Sequence, residues 1–215
     1  LFILSVLITF SAYAQDDIKI THAPYLQNLG ENEVTVVWTA NKPSIGWVEL
    51  APDDGTHYYQ TERPKFFNAK NGIKLTSTVH SVHLTGLKPG TRYRYRVYSQ
   101  EVLSHVGWRV IYGNVAATSV YGKQPLTFLT SDHGRQSVNF AMVNDIHGKS
   151  DVLEKLVSHC DLKKTDMFLF NGDMVSIFNN EKEIFEGFMD KATELFASEI
   201  PMYYTRGNHE TRGSF

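Results

Sequence analysis

The segment NDIHG at residues 144–148 follows the apolar run Val138–Val143, which predicts a buried strand. Two further polar clusters, NGD at 171–173 and GNHE at 207–210, also follow short apolar runs. Helical patterns lie between the runs, and strands that alternate with helices are typical of a parallel sheet. The carboxyl ends of parallel strands meet at one edge of the sheet, so we expect the three clusters to form one site.

The side chains of these clusters include four potential metal ligands. Asp145 and His147 are two residues apart, so in extended backbone they point the same way and can hold one ion together. Asp173 has two carboxylate oxygens that can bridge two ions, and Asn208 offers an amide oxygen to the second. Mixed oxygen and nitrogen ligands suit divalent zinc, manganese or iron better than calcium. A metal pair of this kind activates water for attack on phosphorus, which predicts phosphate-ester hydrolysis.

Two helices are predicted between the strands of this region. The first begins behind Ser150, a suitable N-cap, and places Cys160 on its apolar face, where a buried, unreactive thiol is expected. The second carries an apolar stripe, Ile184–Phe196, that belongs to the core. The later strands are predicted at 167–170 and 201–205.

Residues 18–131 contain short alternating or β-branched runs separated by Gly, Pro, Asn and Asp, which is typical of an all-β sandwich. The runs at 34–38 and 46–50 predict two strands, and residues 41–44 predict the turn between them. Alternate residues of the run at 93–97 share one face, which predicts a half-buried strand.

Several histidines lie outside the three clusters. His80 and His83 are three residues apart and would point to opposite faces of a strand, so we expect a core or surface position for each and no metal pair. Four more histidines are also not placed to complete the site: His22, His57 and His105 in the β-rich region, and His159 in the first helix.

The 215 residues carry a formal net charge of −2, with 42% hydrophobic and 20% charged residues. This composition is ordinary for a globular protein of one large or two smaller domains. It lacks the basic excess that nucleic-acid binding usually requires, so no nucleic-acid partner is expected. Cys160 is the single cysteine, so the fold relies on packing without an internal disulfide.

The first ten residues, Leu1–Phe10, are almost wholly apolar, and residues 11–14 supply small side chains. This pattern predicts a signal peptide at residues 1–14, with cleavage after Ala14 and export to the periplasm or the exterior. A membrane-spanning helix needs roughly 20 apolar residues. Polar Gln15 arrives too early for that, so no stable membrane anchor is expected.

Two groups of residues resemble known families. Trp38 on an early strand and the segment LKPGTRY at 87–93 resemble the fibronectin type III domain that precedes the catalytic domain of purple acid phosphatases. The order Asp-x-His, Gly-Asp, Gly-Asn-His-Glu within residues 145–210 resembles the calcineurin-like metallophosphoesterases. The resemblance implies a fibronectin III-like sandwich at 18–131 and the first part of an α/β metallophosphoesterase domain at 137–215, which is a four-layer α/β/β/α sandwich when complete.

The resemblance to the fibronectin domain implies structural roles for two aromatic residues. Trp38 would fill the core between the sheets. Tyr93 would be the corner tyrosine, whose hydroxyl bonds back to the backbone.

The resemblance to the phosphoesterases implies a role for each residue of the site. Asp145 and His147 would hold the first metal ion. Asp173 would bridge the two ions, and Asn208 would hold the second. His209 would contact the phosphate and protonate the leaving group. The implied cofactors are two divalent ions, and the implied partner is a small phosphate ester.

The sequence departs from the purple acid phosphatases at two linked positions. Ser176 stands where those enzymes have an iron-binding tyrosine, and His147 stands where they have glycine. We expect His147 to fill the coordination place that the absent tyrosine leaves, which predicts a colourless enzyme.

The family also takes histidine ligands from later Val-x-x-His and Gly-His-x-His segments. The 215 residues do not contain those segments after His209. We therefore expect this chain to bind metal weakly and to show little turnover.

The favoured function is a secreted phosphomonoesterase. A phosphodiesterase or nucleotidase could use the same metal pair, because the ligands do not determine what lies beyond the phosphate. In a third interpretation, the fibronectin-like domain binds a ligand and the α/β part is a non-functional remnant. The sequence makes no prediction of the oligomeric state.

Overall fold

In the computed structural model, which describes residues 16–119 and 124–214, one long strand organises the first domain. This strand, β2, runs for 20 residues from Glu33 to Pro52. β1 (Ile20–Gln27) and most of β6 (Thr76–Thr85) pair with its first half, whereas β7 (Arg92–Val106) and β3 (Lys65–Phe67) pair with its second half. These pairings are antiparallel. The other strands of the domain are β4 (Ala69–Lys70), β5 (Ile73–Lys74), β8 (Arg109–Ala117) and β9 (Leu126–Leu129).

The turn predicted at residues 41–44 is wrong, because β2 continues through this segment. The pairing with β6 shifts register between Thr39 and Ser44, which marks a bulge in an otherwise continuous strand. The backbone N–H of Asn41 donates to the carbonyl of Lys19 at 3.1 Å. The residues just before β1 therefore hold this segment of β2 extended. Pairing partners that are distant in sequence therefore override the local preference of Asn and Pro for a turn.

The aromatic residues singled out in the first domain occupy the expected positions. Trp38 is completely buried, and its indole N–H donates to Ser99 Oγ at 2.9 Å. The hydroxyl of Tyr93 accepts a hydrogen bond from the backbone N–H of Lys88 at 2.9 Å, as a corner tyrosine does. Both structural expectations are confirmed.

The two histidines of β6 face opposite sides of the sheet, as predicted. His80 is buried, with Nε2 2.8 Å from Ser44 Oγ and its ring 5.0 Å from that of Trp38. His83 is exposed and lies 2.8 Å from the carboxylate of Glu33. Burial lowers the pKa of His80 to about 4, so this imidazole is neutral at pH 7.

The second domain contains a parallel sheet covered by helices. Its strands are β10 (Phe140–Val143), β11 (Met167–Asn171) and β12 (Met202–Thr205), in that spatial order. Helix α1 (Ser150–Val157) follows β10, and a longer helical segment at 181–197 follows β11. The described residues therefore show the predicted alternation of strands and helices.

The run Val138–Val143 is shorter and more exposed as a strand than predicted. β10 is at the edge of the described sheet, and its residues Phe140 and Met142 are 58% and 55% exposed. Val143 is buried against the helices. Successive strand residues point to opposite faces, and here only one face is covered by described residues.

The first helix differs from its prediction at both ends. Ser150 is the first helical residue, and the capping position belongs to Lys149, whose side chain makes no capping bond. The helix ends at Val157, so Cys160 lies in the following turn, half-buried against the core. The apolar spacing continues past Val157 to Cys160, so the helix predicted from this spacing is too long.

The helical segment at 181–197, called here the composite helix, alternates between two geometries. Its α-helical turns are Glu181–Ile184 and Asp190–Ala192, and its π-helical turns are Phe185–Met189 and Thr193–Ala197. Asn180 caps its start in a capping box. The predicted apolar stripe lies in the core, so the helix is confirmed, but its wide turns were not predicted.

The two domains share a buried polar contact. Tyr95 donates from its hydroxyl to the carbonyl of Ser198 at 2.6 Å. Ser198 in turn donates from Oγ to the carbonyl of Pro24 at 2.6 Å. The end of the composite helix is thereby fixed to the first domain.

The described residues contain no helix that is both long and apolar enough to cross a membrane. The predicted signal peptide, residues 1–14, lies outside the part of the chain that the structure describes.

The buried His80 predicts an acid-sensitive first domain. The pKa of His80 in the folded state is below its ordinary value of 6.5, so the unfolded chain binds the proton more strongly. From this residue alone, the free energy of unfolding should fall by about 1.4 kcal/mol per pH unit as the pH drops from about 6.5 towards 4. Urea unfolding at a series of pH values, followed by tryptophan fluorescence, measures this free energy. The signal reports on the first domain, because it contains Trp38, Trp47 and Trp108.

The non-titrating variant His80→Gln should lose this part of the pH slope, although it should be less stable at pH 7. His83→Gln, which changes an exposed histidine, should keep the slope. A wild-type slope in His80→Gln would show that another group causes the acid sensitivity.

Candidate metal centre

The loops after β10 and β11 continue to hydrogen-bond beyond the ends of their strands. The N–H groups of Asp145 and His147 donate to the carbonyls of Gly172 and Asp173, at 3.2 and 3.1 Å. The N–H of Gly148 continues this series of hydrogen bonds and donates to the carbonyl of Met174 at 2.7 Å. The first two polar clusters are therefore adjacent through their backbones, as the parallel sheet predicts.

The third cluster approaches the second through two glycines. A Cβ atom on Gly172 would lie 2.8 Å from the Cα and N atoms of Gly207. A Cβ atom on Gly207 would lie 2.3 Å from Asp173 Oδ1. Both distances are too short for any side chain, so glycine at each position lets the loops after β11 and β12 touch.

Asp145 and His147 lie close together, but not for the predicted reason. Their φ angles are 59° and 51°, so the backbone is left-handed and not extended. Asp145 Oδ1 is nevertheless 3.9 Å from His147 Nε2. This separation is less than twice the metal–ligand bond length of about 2.1 Å, so a single ion can contact both atoms.

Asp173 and Asn208 form a second pair of possible ligands. The amide oxygen of Asn208 lies 2.9 Å from Asp173 Oδ2, while its nitrogen lies 3.0 Å from Arg212 Nη2. In this orientation two acceptors face each other, and so do two donors, which is unfavourable. Turned over, the amide donates to Asp173 and accepts from Arg212. The turned amide is therefore satisfied by Asp173 and Arg212, and the Asn208 side chain lies within reach of the Asp173 carboxylate in either orientation.

His209 lies between the two pairs. Its backbone N–H donates to Asp173 Oδ1 at 2.8 Å, and its ring packs edge-on against that of His147 with centroids 4.4 Å apart. His209 Nδ1 lies 2.9 Å from the carbonyl oxygen of Ser176. When Nδ1 donates to this carbonyl, Nε2 is the ring nitrogen available to a ligand. The structure therefore brings all five predicted site residues to one edge of the sheet.

Glu210, for which no role was predicted, is completely buried beneath the site. One of its carboxylate oxygens accepts from the N–H groups of Met174 and Val175, at 2.6 and 3.3 Å. The other accepts from Asp173 and Gly207, at 3.0 and 2.7 Å. Burial raises the pKa of this carboxyl, but the backbone N–H groups outweigh it and hold the pKa below its usual value. Glu210 therefore joins the loops after β11 and β12 as a carboxylate.

Nothing in the sequence marks Glu210 as different from an exposed glutamate. It follows a histidine in a polar loop near the end of the chain, where solvation is the default expectation. Its role depends on four N–H groups that converge from two separate loops. Only the folded arrangement reveals this convergence.

The site residues provide ligands in pairs. Among the described residues, no three His, Cys, Asp or Glu side chains cluster closely enough to hold an ion by themselves. The pairs above include the amide of Asn208, which lies outside that set of residue types. An ion bound here would need further ligands from water, substrate or additional protein groups.

Two family models match adjoining parts of the chain. Residues 22–112 match the N-terminal domain of purple acid phosphatases, and residues 138–215 match the calcineurin-like phosphoesterases. Each of these two regions is similar to the family whose model it matches. The expected order of a fibronectin-like β-sandwich followed by part of a metallophosphoesterase domain is confirmed.

Solved structures support the same fold. A purple acid phosphatase from yellow lupin (Lupinus luteus) seeds aligns with a TM-score of 0.60 and 19% identity, over 87% of this chain and 35% of the lupin chain. This chain therefore spans about a third of that enzyme's length, and at this identity the likeness establishes the fold alone.

Two further β-sandwich structures align with about half of the chain. The FN5 domain of Drosophila Lar covers 53% of this chain and 95% of its own, at 15% identity and a TM-score of 0.31. A computationally redesigned β-sandwich covers 54% and 96%, at 19% identity and a TM-score of 0.32. Scores of this size do not establish a shared fold. No curated protein sequence matches the chain.

The buried carboxylate of the calcineurin-like domain gives a test of how its loops are held. Glu210→Gln replaces one acceptor oxygen with an NH₂ group, which then faces backbone N–H donors in a buried position. We expect the free energy of unfolding to fall by about 2 kcal/mol. Urea unfolding followed by far-UV circular dichroism reports on this change, since the described helices lie in the second domain.

The matched control is Glu181→Gln, which makes the same substitution at an exposed helix terminus. It should leave the unfolding curve within experimental error of the wild type. Equal stabilities of the two variants would contradict the role assigned to Glu210.

Proposed function

We propose that this chain is part of a metal-dependent phosphoesterase that hydrolyses phosphate monoesters at a pair of divalent zinc, manganese or iron ions. The observation that carries the proposal is the convergence of Asp145, His147, Asp173, Asn208 and His209 at one edge of a calcineurin-like sheet. The match of the first domain to purple acid phosphatases favours monoesters over diesters as substrates.

The ligand atoms divide into two groups with a shared member. Asp145 Oδ1 and His147 Nε2 would hold one ion. The amide oxygen of Asn208 would hold the other, and the carboxylate of Asp173 would bridge both. Bound divalent ions supply Lewis acidity and lower the pKa of coordinated water to about 7. The protein's own part is to present these oxygen and nitrogen atoms on rigid, mutually bonded loops.

His209 is suited to donate a proton to the leaving group. In the protonated ring, Nδ1–H donates to the carbonyl of Ser176 and Nε2–H remains for the ester oxygen. Arg212 Nη1 also lies 3.2 Å from Nδ1, so the guanidinium is close to the His209 ring.

The proposed activity requires more metal ligands than the described residues provide. The chain spans 35% of the lupin phosphatase, and its ligands occur in pairs. Turnover by these 215 residues is therefore proposed to be slow. Export through the segment at residues 1–14, which would deliver the protein to the periplasm or the exterior, remains part of the proposal.

Position 176 of the proposed centre carries a serine hydroxyl and not a phenolate. The Ser176 hydroxyl donates to the carbonyl of His147 at 3.3 Å, which keeps the serine beside the histidine of the first ligand pair. Iron-loaded protein should therefore lack the visible charge-transfer band of an iron–tyrosine bond. An absorption spectrum before and after addition of iron tests this, and a strong visible band would contradict it.

Removal of the bridging carboxylate should abolish the proposed centre. In Asp173→Ala, the affinity for Zn²⁺ or Mn²⁺ measured by titration calorimetry should fall at least about tenfold. The control Asp151→Ala removes an exposed carboxylate of α1 and should bind metal as the wild type does.

The substrate class is tested in the same samples. Hydrolysis of p-nitrophenyl phosphate should exceed that of bis(p-nitrophenyl) phosphate, and chelation or Asp173→Ala should remove it. Faster diester hydrolysis would favour a phosphodiesterase. Unchanged metal affinity in Asp173→Ala would overturn the metal centre itself.

A further inference from the structure

The first π-helical turn of the composite helix supports the loop that carries His147. Gly187 lies in this turn, and a Cβ atom there would be 3.4 Å from Gly148 Cα and 3.1 Å from Val175 Cγ1. The helix backbone therefore packs directly against the two loops of the candidate metal centre. A π turn contains one more residue than an α turn, and such turns commonly occur at functional sites.

A residue of the first domain contacts both ends of this π turn. The His22 ring stacks on that of Phe185, the first residue of the turn, with centroids 3.6 Å apart and planes 7° from parallel. His22 Nδ1 lies 2.7 Å from Oδ1 of Asp190, the residue immediately after the turn. The side chains of His22 and Asp190 are 24% and 44% exposed, so the contact is partly shielded from water.

The far end of the composite helix is also tied to the first domain. Ser198 follows the second π turn and bonds to Pro24 and Tyr95. The first domain therefore holds the helix at two places, and the π turn beneath the metal loops lies next to one of them. A displacement of the helix at His22 would move Gly187, which lies in the same π turn. The displacement would then reach Gly148, because the backbone of Gly187 packs against that of Gly148.

From these contacts we infer that His22 is a positioning residue for the candidate metal centre. By fixing Phe185 and Asp190, it holds the π turn against Gly148 and thus sets the position of the adjacent His147. The sandwich domain is then a structural part of the active site and not only a neighbouring module. The statement that His147 binds metal rests on the proposed function. The mechanical coupling between His22 and the loop of His147 does not.

Amide hydrogen exchange tests the coupling without metal. The N–H groups of His147 and Gly148 bond to the second loop at 3.1 and 2.7 Å, so their exchange reports on the position of the metal loop. In His22→Ala, exchange at these two amides should accelerate at least about tenfold. Core amides of the first domain, such as Val36 and Val97, should exchange as in the wild type, which separates a local effect from global destabilisation.

Two further variants distinguish the two interactions of His22. His22→Phe retains an aromatic ring against Phe185 but loses the bond to Asp190, so exchange should increase less than in His22→Ala. Asp190→Asn keeps an acceptor oxygen and should also give a smaller increase. If His22→Ala does not fold, these two variants carry the test by the same readout.

The matched control is His83→Ala. His83 is also a histidine of the first domain with a carboxylate partner at 2.8 Å, but it lies away from the composite helix on an exposed strand position. It should leave the exchange of His147 and Gly148 unchanged. Unchanged exchange at these amides in a folded His22→Ala protein would overturn the inference.

A titration with Zn²⁺ separates this inference from the proposed function. If His147 is a ligand, His22→Ala should weaken Zn²⁺ binding about tenfold relative to the wild type and His83→Ala. Faster exchange with no Zn²⁺ binding in any variant would support the coupling and contradict the metal centre. Normal exchange with intact Zn²⁺ binding would support the metal centre and contradict the coupling.

Discussion

The candidate centre depends on one buried carboxylate that carries no ligand role. Glu210 accepts four backbone N–H groups from the loops after β11 and β12, and so joins these loops through their main chains. Glu210 shares this task with Asp173 Oδ1, which accepts from the backbone N–H of His209 at 2.8 Å. Without Glu210, two buried and two partly buried backbone donors would lose their acceptor, a larger cost than the loss of any single surface ion pair.

The location of the site could be predicted because it requires little beyond residue order. Asp145, Asp173 and Asn208 each follow a short apolar run, and parallel strands bring their carboxyl ends to one edge whatever the details of the loops. The sandwich was predictable from its short alternating runs, and the environments of Trp38 and Tyr93 were implied by the resemblance to a fibronectin type III domain. Patterns that depend on period and order survive small errors in element boundaries.

Features that depend on contacts between distant segments could not be predicted. The turn expected at residues 41–44 is absent because neighbouring strands hold β2 extended. The wide turns of the composite helix, one of which packs Gly187 against Gly148, are not encoded by an apolar stripe. Glu210 shows the same limit, because three of its four donors come from residues 35 to 37 positions away. Local preference is decisive only where no tertiary contact competes with it.

Three proposed ligands, Asp145, His147 and Asp173, have φ angles between 51° and 59°. Left-handed backbone at residues with side chains costs stability that glycine or asparagine would largely recover. A directed-evolution experiment that selects only for heat resistance should therefore erode these positions first, because the replacements that relax the backbone also delete the ligands. Thermal stability and metal binding therefore favour different residues at these three positions, and a variant that gains stability there loses ligands.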